Sequence, residues 1–458
     1  MSYENSEKLK FMKAIIRKEM LEVRRKTLDF RHKILGVRRK TLASTCKLSI
    51  VFCLVSGVCL SVTSHAQVLR LDSVLSVIKE RNPMLQDFRQ RANAMNAYSE
   101  GATSWMAPEV GGGLWMMPYK KVEEGNGDKG QIMLSVQQKF THPAKLKASK
   151  GYMQSKAAIE LAGESVTYNE LRAQAKTAYY QWMVLEKKKT VLKENEEIIN
   201  LMIEIAKIRY LYNQSKLGNI YKAEGRLYEV KNMMLMNENE IHHRITLLNQ
   251  LMNVPSQTHY EIDTLHSSPS FAPESIDTSL FVSNRSDIRN IDKKIQSMRL
   301  NQTLERNQSK PDFNLSFNHM IPRESAMPSQ FMLLGMVTIP IAPWSSKMYK
   351  SNIKGMDYEI EAMKSERASI LNELQGMTIA MVNEIQTLHT QIENYDKHIL
   401  PALRRNYETT MLAYEENKEE LPMVIDAWET LNMTQMQYLD TLQKYYEMIV
   451  TYEKQIEK

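Results

Sequence analysis

The second half of this chain repeats the first at an offset of 203 residues. Asn82-Pro83-Met84-Leu85 opens a helical pattern that reaches an extended segment at Pro108-Glu109-Val110. Arg285-Ser286-Asp287-Ile288 opens another that reaches Pro311-Asp312-Phe313 with the same spacing. Further on, Tyr210 and Asn213 lead to Lys222-Ala223, and Tyr414 and Asn417 lead to Asp426-Ala427, at an offset of 204. Each copy reads as a helix, two strands and two long helices. A period this long is not a solenoid repeat; it is one structural unit written twice, over 67–265 and 266–458, with an inter-repeat linker at 255–284.

Residues 1–66 read as a leader. Lys47 precedes an apolar run over 48–62, and Ser64-His65-Ala66 supplies a small-x-small cleavage site before Gln67, the layout of a secretory signal peptide. The leader holds 14 Lys and Arg against 5 Asp and Glu, so the formal charge of +7 belongs to it and the remainder is near −2. A basic nucleic-acid arm is the competing reading of Arg24-Arg25-Lys26 and Arg38-Arg39-Lys40, but the rest of the chain offers phosphate no basic surface, and no nucleic-acid partner is expected. Cys46, Cys53 and Cys59 all fall in the leader, which leaves the exported chain without disulfide, thiolate or Cys metal site.

Past Gln67 there is no run of 18 apolar residues, so any membrane crossing must be made of strands. Four segments have the period of two that places alternate residues on opposite faces. In the third, Phe313, Leu315 and Phe317 alternate with Asn314, Ser316 and Asn318. Ile132, Leu134 and Val136 alternate in the second, Phe331, Leu333, Val337 and Ile339 mark the fourth, and the first runs Val110 to Tyr119 through three glycines. They pair as hairpins over 108–141 and 311–341. A soluble sheet with one face on a core fits the same alternation, and Trp115 and Tyr119 suit either a membrane-interface girdle or a core.

Long helices fill the remainder. From Ala144 to Tyr212 there is no proline, and Met381, Ile385, Leu388, Ile392, Tyr395 and Ile399 form a heptad seam in the counterpart, which Pro401 is expected to bend. Helices this long with narrow apolar stripes must pack side by side. Four strands fall short of the roughly eight that close a membrane barrel, so several chains must share one.

These residues together resemble the TolC-type outer-membrane efflux channels, the outer-membrane factors of tripartite efflux and secretion systems. The resemblance rests on the Asn-Pro-x-Leu opening, the duplicated helix–hairpin–helix–helix order, and Tyr414-x-x-Asn417 leading to Val424-Ile425-Asp426-Ala427. It implies an α+β membrane protein of the outer membrane with a long periplasmic portion. A homotrimer would join a twelve-stranded transmembrane β-barrel, four strands per chain and set in outer-membrane lipid, to a coiled-coil α-barrel. It further implies passive conduction, a periplasmic adaptor (membrane fusion) protein and an inner-membrane transporter of RND or ABC type as partners, and a belt from 67–72, 255–284 and the C-terminal end. By position Asp426 falls on an acidic gate at the helix tips, with Met423 at the other acidic position. Glu419 and Glu420 add charge to the mouth, and Lys222, the counterpart of Asp426, suggests an alternating ring or an inter-chain salt bridge. Asn213 and Asn417 stand at the tip turns, where Asn tolerates left-handed geometry.

Other constellations are weaker. The methionines are spread through all the helices, which favours packing over a copper or silver route. His242 and His243 are adjacent on a helix and point to different sides, so no shared metal site is expected. No phosphate loop, dinucleotide fingerprint or zincin pair is present, so neither an enzyme nor a cofactor is expected. The alternative to a channel is a secreted coiled-coil scaffold or assembly protein without a membrane barrel.

Overall fold

The computed structural model describes residues 68–119, 129–262, 269, 271, 282, 284–323 and 328–457. The leader, most of the loop at 120–130, and most of the linker at 255–284 lie outside the described residues. The first half runs β1 (Val68–Leu69), α1 (Leu71–Arg81), α2 (Pro83–Gly101), β2 (Glu109–Trp115), β3 (Gln131–Phe140), α3 (Pro143–Leu211) and α4 (Leu217–Met252). After β4 (Glu261–Ile262), the second runs α5 (Ser286–Asn307), β5 (Asp312–Pro322), β6 (Gln330–Thr338), α6 (Pro343–Asn394), a π turn (Tyr395–Ile399), α7 (Leu400–Glu415) and α8 (Leu421–Ile456).

Local chemistry explains where these helices start. Asn82 separates α1 from α2, a break the sequence reading placed only as an opening: its side chain accepts from the Met84 N–H at 2.9 Å, and Pro83 fills a position whose N–H would lack a partner anyway. The same Asn82 donates to the Leu251 carbonyl at the end of α4. The second half closes similarly by other means, since the Glu457 carboxylate past α8 accepts from the Ser286 N–H at 2.8 Å and its hydroxyl at 2.6 Å, capping α5. Asn253 and Glu457 end their helices with φ of 56° and 55°, the left-handed geometry common at C-termini.

The core is a series of apolar clusters rather than one centre, three of them along α3 and the others between α6 and α8 and between α5 and α6. Near the tip, Leu192, Ile199, Met202 and Ala206 of α3 meet Ala223 and Val230 of α4 and Val424, Ile425 and Trp428 of α8. Tyr179, Tyr180 and Met183 meet Leu439, Leu442 and Tyr446 further along, while Leu171, Ala178 and Trp182 face α1 and the end of α4. Trp182 is fully buried with its indole N–H on Glu186, so truncation to alanine there costs about 3–5 kcal/mol. β1 and β4 pair in parallel, Val68 with Glu261 and Leu69 with Ile262, which joins the two described ends of the expected belt.

Pro401 does not end the outer helix, and the heptad seam does not run straight through it. The helix passes into the π turn at Tyr395–Ile399, whose wider ring absorbs one residue just before the proline. Ile385 is buried against Ile449 and Tyr452, Leu388 is buried as well, and Ile392 and Tyr395 follow on the same face. Beyond the turn the packed positions are Leu400, Leu403, Tyr407, Met411 and Tyr414, so the step across it is five residues. Ile399, the position that a strict heptad selects, is 40 % exposed.

β2, β3, β5 and β6 form one antiparallel sheet in that order, with β3–β5 joining the two hairpins and no described strand paired to the outer edges of β2 and β6. Lys145 and Asp312 lock α3 to the start of β5: a 2.8 Å ion pair, largely buried, is reinforced by the His142 N–H on the same carboxylate at 3.0 Å. Asp312 is thus a structural residue.

Candidate functional site

Two surfaces carry the chemistry, the sheet and the helix tip. The register aligns Val110, Val136, Phe317 and Leu333 across all four strands, and they are 78, 46, 43 and 62 % exposed. Phe313 and Val337 lie in a second row of the same face, Leu114, Ile132 and Ile321 in a third. The opposite face is polar in the central strands, with Ser135, Gln137, Asn314, Ser316 and Asn318, of which Ser316 and Asn318 are buried and hydrogen-bonded to each other, while β6 sets Met332, Leu334 and Met336 beside them. Water-soluble sheets cover their apolar face; here the apolar face is open along all four strands, the other face is partly covered only in the central strands β3 and β5, and β2 and β6 are exposed on both faces. Trp115 ends β2 opposite Gln131, on the face of Ser135 and Gln137 and outside the apolar rows, and Tyr119 is fully exposed beyond the strand.

At the other end of α3 the chain turns twice. Asn213 and Asn417 both have φ of 58°, so each occupies the left-handed position that reverses α3 into α4 and α7 into α8. Between the turns lies an open cleft of about 630 Å³ lined by Arg209, Asn213, Lys216, Asn417, Glu419 and Glu420, among others. Arg209, which the sequence reading missed, bridges the turns: it donates to the Glu415 carbonyl at 2.9 Å and stands 4.1 Å from the Tyr414 ring centre. Burial pushes the Tyr414 phenol above its ordinary pKa, with the neighbouring guanidinium opposing. A cation in the last turn of a long helix was the available signal for Arg209.

Asp426 and Lys222 are brought together, but within one chain: their side chains meet at 3.4 Å, both exposed. Within one chain this exposed pair contributes about 0–1 kcal/mol. One turn further, Arg226 reaches the Glu429 carboxylate at 2.9 Å and Glu229 at 2.7 Å. Met423 is exposed in the same turn as Asp426. His242 and His243 take part in no described cluster of three or more His, Cys, Asp or Glu side chains, and no such cluster occurs among the described residues. No described helix is long and apolar enough to cross a membrane.

No known family profile matches the sequence, and no curated protein matches it either. Solved structures do match. The outer-membrane channel OprN superposes with a TM-score of 0.67 at 13 % identity, covering 84 % of this chain and 89 % of that one. VceC, an outer-membrane protein of Vibrio cholerae, gives a TM-score of 0.64 at 14 % identity over 84 % and 95 % of the two chains. The open-state outer-membrane channel MtrE of Neisseria gonorrhoeae gives 0.63 at 14 % identity over 84 % and 88 %. At these identities the likeness is one of architecture. By fold, this chain stands with the TolC-type outer-membrane channels that its sequence resembles.

Proposed function

We propose that this chain is the protomer of a trimeric outer-membrane channel that gives passive exit to substrates of a tripartite efflux pump or a type I secretion system. The observation that carries the reading is the exposed apolar face of the sheet, with Ser316 and Asn318 buried on the other face of β5 and with no described strand paired to the outer edge of β2 or β6. Hydrocarbon tolerates no unpaired backbone, so a four-stranded sheet in lipid must close against copies of itself; three copies give twelve strands. The polar face then lines a lumen, and the helices extend the conduit into the periplasm. A periplasmic adaptor and an inner-membrane transporter of RND or ABC type dock at the tip, where Asp426, Glu419 and Glu420 of three chains surround the mouth and bias it toward cations.

A secreted coiled-coil scaffold would use the same helices, but its sheet would bury Phe313, Leu315 and Phe317. The deciding measurement is the mass of the protein extracted in detergent from outer-membrane fractions, corrected for bound detergent. A trimer supports the channel, with single-channel conductance as the next test; a chain that is soluble without detergent refutes it.

A further inference from the structure

The spread of methionines argues against a metal route along the whole chain, yet three of them meet at one place. A pocket of about 300 Å³ lies between α4 and α8, walled by Met233 from the first helix and by Met433, Met436, Trp428 and Asn432 from the second. Met433 and Met436 stand three residues apart and share a helix face. Met233 and Met436 also touch the tip cluster, but Met433 is 57 % exposed, so a solute reaches the pocket.

Two observations say that packing alone does not account for it. Asn432 is 6 % exposed, and its side-chain oxygen has no hydrogen-bond partner. Buried acceptors are nearly always satisfied, and this unpaired carbonyl dipole adds negative potential beside the pocket. At its margin Arg226 is shared by two carboxylates, Glu229 and Glu429, which leaves the rim with a net negative charge. Thioethers are soft donors that select Cu(I) and leave hard ions such as Mg²⁺ and Ca²⁺ to oxygen ligands.

We propose that this pocket binds a soft monovalent cation, Cu(I) or Ag(I), through the thioethers of Met233, Met433 and Met436. The site stands on the pocket and does not depend on the channel reading.

The test uses the full chain in detergent with Ag(I) as probe, read by equilibrium dialysis and by quenching of tryptophan fluorescence. The expected result is that Met433→Leu/Met436→Leu weakens the tightest silver site by about tenfold or more, on the scale of lost metal-site support, and removes the associated quenching. Met84→Leu/Met348→Leu, at exposed methionines elsewhere, leaves both unchanged. Trp428→Phe removes the quenching while the bound silver remains. Leucine preserves methionine's volume, and if the double variant fails to fold, Met433→Leu alone carries the test at its exposed position. Absence of silver binding, or equal affinity in the pocket variant and the control pair, overturns the proposal.

Discussion

Arginine at Val136 and arginine at Ser135 give opposite answers for a membrane wall and a soluble sheet. The two residues are adjacent at mid-strand in β3, so they share a depth and differ only in face. Val136 sits in the apolar row with Val110 and Phe317, and Ser135 lies opposite Gly111 and Asn318. If the apolar face meets lipid, Val136→Arg places a guanidinium near the midplane at a cost of about 2–4 kcal/mol per chain, or about 6–12 kcal/mol for three. The arginine stem reaches partway to the interface, which favours the lower part of that range. Ser135→Arg points at a lumen with a side-chain-free glycine beside it and costs within about 1 kcal/mol, as surface substitutions do. On a soluble sheet the order reverses, because Val136 is already half exposed to water and a charge there is nearly neutral. The assay is urea unfolding of the detergent-extracted protein, followed by tryptophan fluorescence and by survival of the oligomer on gels. A Ser135→Arg loss equal to or larger than that of Val136→Arg refutes the assignment of faces.

Three further outcomes are expected. Asp426→Ala shifts cation preference or leak in single-channel recordings while changing stability by less than about 1 kcal/mol, because its pair with Lys222 is exposed; Asp312→Ala, which leaves Lys145 buried without its partner, lowers stability by about 3–5 kcal/mol and serves as the contrast, read by thermal unfolding. Asn417→Gly leaves thermal stability nearly unchanged, whereas Asn417→Val costs about 1–2 kcal/mol, since φ of 58° suits glycine and strains a branched residue; equal melting temperatures would remove the left-handed turn from the account. The Lys454 ammonium bonded to Glu170 holds that carboxyl below the usual range, so the pair's stabilisation is complete above the unfolded pKa and is lost as pH falls through the lower folded one. Acid titration of Glu170→Gln should therefore show a shallower fall in stability below about pH 4.3, by no more than about 1 kcal/mol at so exposed a pair.

Periodicity carried much of the fold into view. The four strands and the long helices follow from spacing alone, because alternation and the 3.6-residue repeat are local properties. Asn213 and Asn417 were legible as turn residues for the same reason, since the left-handed preference belongs to the residue. The π turn was present in the numbers but not read: only the packing of Leu400 in place of Ile399 shows that the seam gains a residue there. Contacts between distant segments stayed hidden. Nothing local links Arg209 to Tyr414, Glu457 to Ser286, or Trp428 to Asn195, whose side-chain oxygen accepts the indole N–H at 2.7 Å inside the tip cluster. Lys222 and Asp426 were aligned by the repeat, yet alignment gives equivalence of position and not the 3.4 Å approach of the two side chains within one chain.

The 69 residues of α3 form an unbroken rod of about 100 Å, free of proline beyond its first turn. A rod of that length is a lever. A pivot of one degree at its strand end displaces the other end by about 1.8 Å, so a rotation too small to disturb any side-chain rotamer near the sheet moves Arg209 and Asn213 by more than the reach of a hydrogen bond's tolerance. If the proposed channel opens at its tip, such a rod lets the motion be driven from far away without unfolding anything there.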